Sequence, residues 1–439
     1  MPSPTLPFPS LSARLLDDVA DDRCAAITGL SNTGKSTLMR ALASPESEAE
    51  LRRRRGGPCT LIYVDCNQAV ATSPQAFYEV VLRAALERIN SPTGGDLPAS
   101  LHRYHEAVTE AETAFSASLS FNLALTELCE NLGGALVLLI DEFDEIYVGL
   151  DDRALLNLRA LKDRFHRRLI YLTATVRNLL ELRGGAVEGE FAEMFSATTY
   201  RLPALEESES DSMLRALGLE GLSARRRAAC RELSGGHPGL LLAVAHVLAS
   251  LPADWAGDAA RAVAQELRPR TECLKLWIQL TPPEQADLTA LLLEQESLPA
   301  PQLRRLESLG LVSGGVVFSP VFAEFVARRG RGGEVAEEGV HLDPDSGDVW
   351  VDGVRIPVLT DLEFRLLSLL YERRDKLTDK YRIVTAVWGE SFLGEIDDAR
   401  VEKLVSRLRG KIESDPATPR YLITQRGRGY KLFSTPITG

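Results

Sequence analysis

Residues 29–37 read GLSNTGKST, which satisfies the spacing Gly-x-x-x-x-Gly-Lys-Ser of the Walker A phosphate-binding loop. Glycines at positions 29 and 34 let the backbone N–H groups of Ser31, Asn32, Thr33 and Gly34 turn toward phosphate oxygens. The positive end of the helix that follows adds to that attraction. In such a cradle Lys35 reaches the terminal phosphates, the Ser36 hydroxyl ligates Mg²⁺, and Thr37 completes the loop. A Gly-rich turn arising by chance is the alternative, and a second stretch argues against it. LVLLIDEFDE is an apolar strand that ends in acids, with Asp141 placed to hold Mg²⁺ directly or through water. Glu142 is placed to orient or deprotonate an attacking water. Asp144 and Glu145 read as solvated loop or helix-start residues. The strand RLIYLTAT brings Thr173 or Thr175 toward the terminal phosphate, although threonine at a strand end is equally at home packing. Arg177 reads the phosphate or is a plain surface charge; the sequence leaves both open.

Chemistry of another kind lies near the far end, in DDARVEKLVSRLRGKIE. Val401, Leu404, Val405, Leu408 and Ile412 recur at helical spacing and form an inward stripe. Arg400, Lys403, Arg407 and Lys411 fall on another face, with Arg409 nearby, and Asp397 or Asp398 is placed as the helix N-cap. A basic helix face alone is most often just solvated. The next stretch, TQRGRGYKLF, sets Arg426, Arg428 and Lys431 on a Gly-punctuated hairpin around Tyr430, which suits a wing that tracks nucleic-acid phosphates.

These side chains need elements to hold them. The strand candidates CAAITG, LIYVDCN, ALVLLIDE and RLIYLTAT alternate with amphipathic stretches, the pattern of a parallel sheet covered by helices. SPTGGDLPAS reads as a flexible loop between helices. A helical region follows, in which SGGHPGL opens the helix LLLAVAHVLASL. Next come helices at TPPEQADLTALLL and PAPQLRRLESLG and a hairpin at LVSGGVVF. Helix, helix and hairpin in so few residues read as a winged helix, and its uncharged hairpin suits a switch element better than a DNA reader. RGRGGEVAEEG reads as a linker. The tail then shows short antiparallel strands at VHLDPDSGDVWVDGVRIPVLT, helices at DLEFRLLSLLYERR and DKYRIVTAVWG, the basic helix and the closing hairpin. The fold class is therefore an α/β P-loop NTPase core with a parallel sheet, a helical lid and a winged helix, followed by a C-terminal α+β winged-helix domain. The expected domains are 1–205 (core), 206–267 (lid), 268–331 (winged-helix switch element), 332–339 (linker) and 340–439 (DNA reader).

Bulk properties agree with this layout. A chain of 439 residues exceeds one core and suggests several domains. The formal net charge of −12 argues against general attraction to nucleic acid but leaves room for a local basic surface. The longest apolar runs fall far short of the ~20 residues of a spanning helix. The start of the chain lacks a basic region ahead of an apolar core, so a cytoplasmic protein is expected. The six cysteines are scattered, with no CxxC pattern, and read as buried apolar residues rather than a zinc site or a disulfide framework.

The loop GLSNTGKS, the strand ending in DE, the TATVR strand and above all GGHPGLL at 235–241 resemble STAND-type signalling ATPases, a branch related to AAA+ proteins. That resemblance implies ATP/ADP and Mg²⁺ as cofactors. It also implies contact of the segment Gly236-His237-Pro238 with the nucleotide, Pro238 included; for His237 local packing is equally open. The implied activity is slow hydrolysis that resets a switch, closed with ADP and open and oligomerising with ATP. The segment 340–433, through LTDLEFRLLSLL, AVWGE, RVEKLVSRLRGKI and PRYLITQRGRGYKL, closely resembles the OmpR/PhoB-type winged-helix DNA-binding domain. By that resemblance Arg400, Lys403, Arg407 and Arg409 lie on or near the helix that enters the major groove, and Arg426 and Arg428 belong to the wing. The expected function is an ATP-switched transcription regulator. Its expected partners are double-stranded DNA, further copies of itself in a nucleotide-dependent assembly, and an activating ligand or protein that the sequence does not identify, with no membrane. Alternatives are a replication-initiator-like or DNA-remodelling ATPase, and a defence or stress-signalling scaffold assembled by ATP.

Overall fold

The structure, a computed structural model, describes residues 6–89, 97–183, 186–219, 221–252, 255, 257–264, 266–293, 298–331, 339–342, 347–352, 354–356, 359–389, 398–425 and 427–433. The chain divides into two compact units. The first is Met1–Ala216 with His237–Gly239 and Glu307–Gly310; the second holds the remainder.

The first unit is built on a parallel sheet of strands β1 (Ala25–Thr28), β2 (Cys59–Asp65), β3 (Ala135–Asp141), β4 (Leu169–Thr175) and β5 (Thr199–Arg201), in the order β2-β3-β4-β1-β5. All four expected strands are present. β5 is an additional edge strand, three partly exposed residues with no apolar run to announce it. β3 and β4 are buried along their whole length, as strands covered on both faces must be. Each Leu or Ile in them contributes about 1.5–3 kcal/mol by leaving water. β4 pairs with β1 on one side and β3 on the other, so it separates the strand that feeds the phosphate loop from the strand that ends in acids. An N-terminal helix, Pro9–Ala20, buries Leu11, Leu15, Leu16 and Val19 against this core. The stretch expected as a loop at 91–100 is shorter than that on its far side, because a helix begins at Leu97 and runs to Thr109. The six cysteines are free and buried, as expected.

The second unit holds the helix Pro282–Leu293, the helix Ala300–Ser308 as far as Leu306, and a two-stranded hairpin, β6 (Val312–Ser313) and β7 (Val316–Val317). A further helix, Pro320–Arg331, follows. The tail opens with an antiparallel sheet of β8 (Val340–Leu342), β9 (Val349–Val351) and β10 (Val354–Arg355). Helices Asp361–Glu372, Lys380–Val387 and Asp398–Ile412 come next, then the hairpin β11 (Leu422–Gln425) and β12 (Gly429–Leu432). Within this unit Arg329 forms a buried ion pair with Asp348 at 2.5 Å, and its guanidinium stacks 5.5 Å from the Trp277 ring centre. No helix among the described residues is long and apolar enough to cross a membrane.

Candidate functional site: a phosphate cradle and a basic helix

The cradle stands where β1 ends. Asn32 and Gly34 both take positive φ, 57° and 102°, which turns the loop back over the start of the helix Lys35–Leu42. Gly29 has no room for a side chain, since a Cβ there would lie 2.7 Å from the Thr33 hydroxyl oxygen. That hydroxyl donates to the Leu30 carbonyl at 2.8 Å and closes the loop. Among the described residues no side chain caps the helix, and an uncapped helix start suits an anion. Lys35 is buried and donates to the carbonyls of Gly29 at 2.7 Å and Leu30 at 3.2 Å. Burial pulls its ammonium below the ordinary lysine value, while the carboxylates of Glu142, Asp144 and Asp141 work the other way. Ser36 is half-buried and Thr37 is exposed.

The acids arrive from β3. Asp141 is fully buried, and its Oδ1 accepts the Glu142 amide at 3.0 Å. Its Oδ2 accepts the Tyr63 hydroxyl of β2 at 2.7 Å. Glu142 has φ 51°, a conformation costly for a residue with a Cβ. It is held there between Asp141 and Phe143. Phe143 is itself fully buried and its amide donates to the Ala174 carbonyl at 3.1 Å. The Ser36 hydroxyl meets Glu142 Oε1 at 3.3 Å, so the loop and the acids come together across β4.

Asp144 starts the helix Asp144–Gly149, one of its two expected placements, but its carboxylate is not solvated. Its Oδ1 accepts the Val176 amide at 2.8 Å, and its Oδ2 is buried with no hydrogen bond among the described residues. Burial raises its carboxyl above the ordinary value despite the Val176 amide and Lys35. The start of the helix Asp144–Gly149 sets its carboxylate against the amide just after β4, a contact that a run of acids in sequence does not announce. Glu145 is exposed, as expected. Thr175 is fully buried and donates to the Arg177 carbonyl at 2.6 Å, so its hydroxyl proton is already used within its own loop. The Thr173 hydroxyl is buried with no hydrogen bond among the described residues. Arg177 is half-buried. His237, Pro238 and Gly239 belong to the first unit: the His237 ring donates from Nε2 to the Ser31 carbonyl at 3.0 Å, and the Gly239 amide donates to the Asn32 carbonyl at 3.2 Å. Pro238 opens the helix Pro238–Ser250 between these two contacts.

The donor set suits Mg²⁺ with a nucleotide. Hard oxygens converge from Ser36, Asp141 and Glu142, a buried lysine faces them, and a buried carboxylate oxygen of Asp144 is left without a partner among the described residues. No group of three or more His, Cys, Asp or Glu side chains among the described residues is arranged to hold a metal alone.

In the tail, Val401, Leu404, Val405, Leu408 and Ile412 are buried, and Arg400, Lys403 and Arg407 are exposed on the opposite face. Arg409 and Lys411 differ from them. Arg409 donates to the Leu422 carbonyl and to the Thr424 hydroxyl of β11, at 2.7 and 2.8 Å. Lys411 pairs with the buried Glu363 at 2.7 Å. Both face intradomain partners because they lie toward the helix end that packs on the hairpin and on the helix Asp361–Glu372. Tyr430, expected among the wing arginines, is buried, with its amide and carbonyl bonded to Thr378. Arg428 is exposed at the hairpin tip, whereas Arg426 and Asp397 lie outside the described residues. The Glu413 carboxylate accepts the amides of Arg420, Tyr421 and Leu422 and fixes the hairpin to the basic helix. Sequence reasoning missed Tyr63, which carries no motif; Asp144 stands at a helix start, as one expected alternative had it, with a carboxylate oxygen buried rather than solvated.

Comparison with known proteins divides along the same line. Residues 19–175 match the family described as AAA domain, and residues 356–432 match the family described as transcriptional regulatory protein, C terminal. The chain thus joins a P-loop ATPase-type domain to an OmpR/PhoB-type winged-helix DNA-binding domain. Among curated relatives, the sensory transduction protein RegX3 of Mycobacterium leprae is 39% identical over 101 residues, 23% of this chain and 50% of that protein. The uncharacterized transcriptional regulatory protein YrkP of Bacillus subtilis is 36% identical over 92 residues, 21% of this chain and 39% of that protein. The chain therefore spans half or less of the length of these relatives. Among solved structures, the Aeropyrum pernix ORC2 protein in ADPNP-ADP complexes is similar over 69% of this chain and 85% of that one, at 17% identity and a TM-score of 0.43.

Proposed function

We propose that this protein is an ATP/ADP-switched DNA-binding transcription regulator, in which nucleotide state sets assembly or exposure of the C-terminal reader. The observation that carries this reading is the pairing, on one chain, of a phosphate cradle opposed by acids with a helix that presents Arg400, Lys403 and Arg407 on its exposed face. In the cradle, the amides of residues 31–34 and Lys35 bind the phosphates. Lys35 gives up the Gly29 and Leu30 carbonyls to do so. Ser36 and Asp141 would hold Mg²⁺, which when bound neutralises charge developing on the terminal phosphate. Glu142 exchanges its contact with Ser36 for a water and orients it or takes its proton. Thr175 and Arg177 carry the state of the terminal phosphate into the loop after β4, and the hydrogen bonds of His237 and Gly239 carry it into the segment around Pro238. Slow hydrolysis resets the switch, as in the STAND-type proteins the sequence resembles. Arg400, Lys403 and Arg407 read the major groove, and Arg428, with Arg426, holds the backbone beside it.

The test is direct. Lys35→Ala abolishes ATP binding, and Arg407→Ala weakens DNA binding while nucleotide binding stays intact. Operator affinity and particle mass of the full chain, measured with an ATP analogue and with ADP, differ between the two states. Equal values in both states would remove the switch from this reading.

A further inference from the structure

β2 runs beside β3 in parallel, with Tyr63 opposite Leu139 and Asp65 opposite Asp141. Residues two apart on neighbouring strands share a face, so Tyr63 lies one pleat below Asp141 on the same side of the sheet. Its phenol is long enough to span that step, and its hydroxyl donates to Asp141 Oδ2 at 2.7 Å. The other carboxylate oxygen already accepts the Glu142 amide at 3.0 Å. Asp141 is fully buried, so these two donors leave its carboxylate one orientation. Arg40, on the helix that follows the phosphate loop, places its guanidinium 5.7 Å from the Tyr63 ring centre and restrains the ring in turn.

We infer that Tyr63 is a positioning residue for the metal-holding carboxylate of Asp141, tied to the phosphate-loop helix through Arg40. The inference rests on the nucleotide-binding reading above. It deepens that reading by adding a residue that no sequence motif marks. A carboxylate that ligates a metal is commonly oriented by a donor behind it, and loss of such a donor typically costs 10–100-fold in metal affinity.

The experiment uses the full chain and Tyr63→Phe, which removes the hydroxyl and keeps the ring. ADP affinity is measured calorimetrically in EDTA. Mn²⁺ affinity of the ADP-loaded protein is then measured from the paramagnetic resonance signal of free Mn²⁺, with Asp141→Asn as the reference for loss of the ligand itself. The expected result is Mn²⁺ affinity lowered by about 10-fold or more in Tyr63→Phe with ADP affinity in EDTA unchanged. The preserved ADP site shows that the variant is folded. Unchanged Mn²⁺ affinity would overturn the inference, and so would equal losses of ADP and Mn²⁺ binding, which would make Tyr63 a packing residue only. If the wild-type chain bound no ADP in EDTA or Mn²⁺, the nucleotide reading itself would fall and the inference with it.

Discussion

Arg407 and Lys411 stand four residues apart on one helix and carry the same charge, yet the structure predicts opposite consequences for their removal. Arg407 is exposed, while Lys411 places its ammonium 2.7 Å from Glu363, a carboxylate whose side chain is 3% exposed. Glu363 also accepts the Thr360 amide at 2.9 Å, so Lys411 braces the capping box that starts the helix Asp361–Glu372. An exposed pair is worth about 0–1 kcal/mol, and breaking a fully buried one costs about 3–5 kcal/mol. With Glu363 buried and Lys411 only partly so, Lys411→Ala costs about 1–2 kcal/mol of stability. The pair also has an acid-side signature. Burial opposes ionisation of Glu363, but Lys411 and the Thr360 amide outweigh it and hold the carboxyl below its ordinary value. Its contribution to stability is therefore complete above the unfolded glutamate value of about 4.3 and is lost as pH falls through the lower folded value. Removal of Lys411 lets burial raise the folded value, so that acid-side loss shrinks. Arg407→Ala leaves stability unchanged, lowers operator affinity about 10-fold, and reduces the slope of log affinity against log salt by about 0.9 if the contact is to phosphate. Urea unfolding over a pH series and DNA titrations over a salt series separate the two. A Lys411→Ala protein of full stability with a reduced salt slope would refute this division of labour.

Other expectations follow from the same geometry. Gly429 has φ 128°, and a Cβ there would lie 2.2 Å from the Thr378 carbonyl oxygen, so Gly429→Ala costs about 2–4 kcal/mol and detaches the wing. Urea unfolding and DNA affinity report it, and a change under about 0.5 kcal/mol would contradict it. For the Arg329–Asp348 pair, Asp348→Ala removes a buried carboxylate from a buried guanidinium and costs about 3–5 kcal/mol, while Arg329→Met with Asp348→Leu costs much less. A double-mutant cycle followed by tryptophan fluorescence tests it, with additivity as the refuting outcome.

The parallel strands and the tail's inward stripe were legible because they rest on local patterning: apolar runs of strand length, and apolar residues at helical spacing. The phosphate loop was legible because the positive φ at Gly34 and the crowding of Gly29 by the Thr33 hydroxyl restrict which residues fit. Such features depend on near neighbours in the chain and need no knowledge of what packs against them. Tertiary structure decided the rest. β5 owes its place to pairing with β1 rather than to its own three residues. Asp144 and Glu145 are adjacent acids of nearly the same chemistry, yet one turns toward the amide after β4 and the other into water. Arg407, Arg409 and Lys411 look alike as charges on a helix, but a carbonyl of β11 and a carboxylate on another helix claim the last two. Tyr63 meets Asp141 across 78 positions of sequence. A charge or hydroxyl has no fixed role of its own, because its solvation depends on which distant groups the fold brings within about 3 Å.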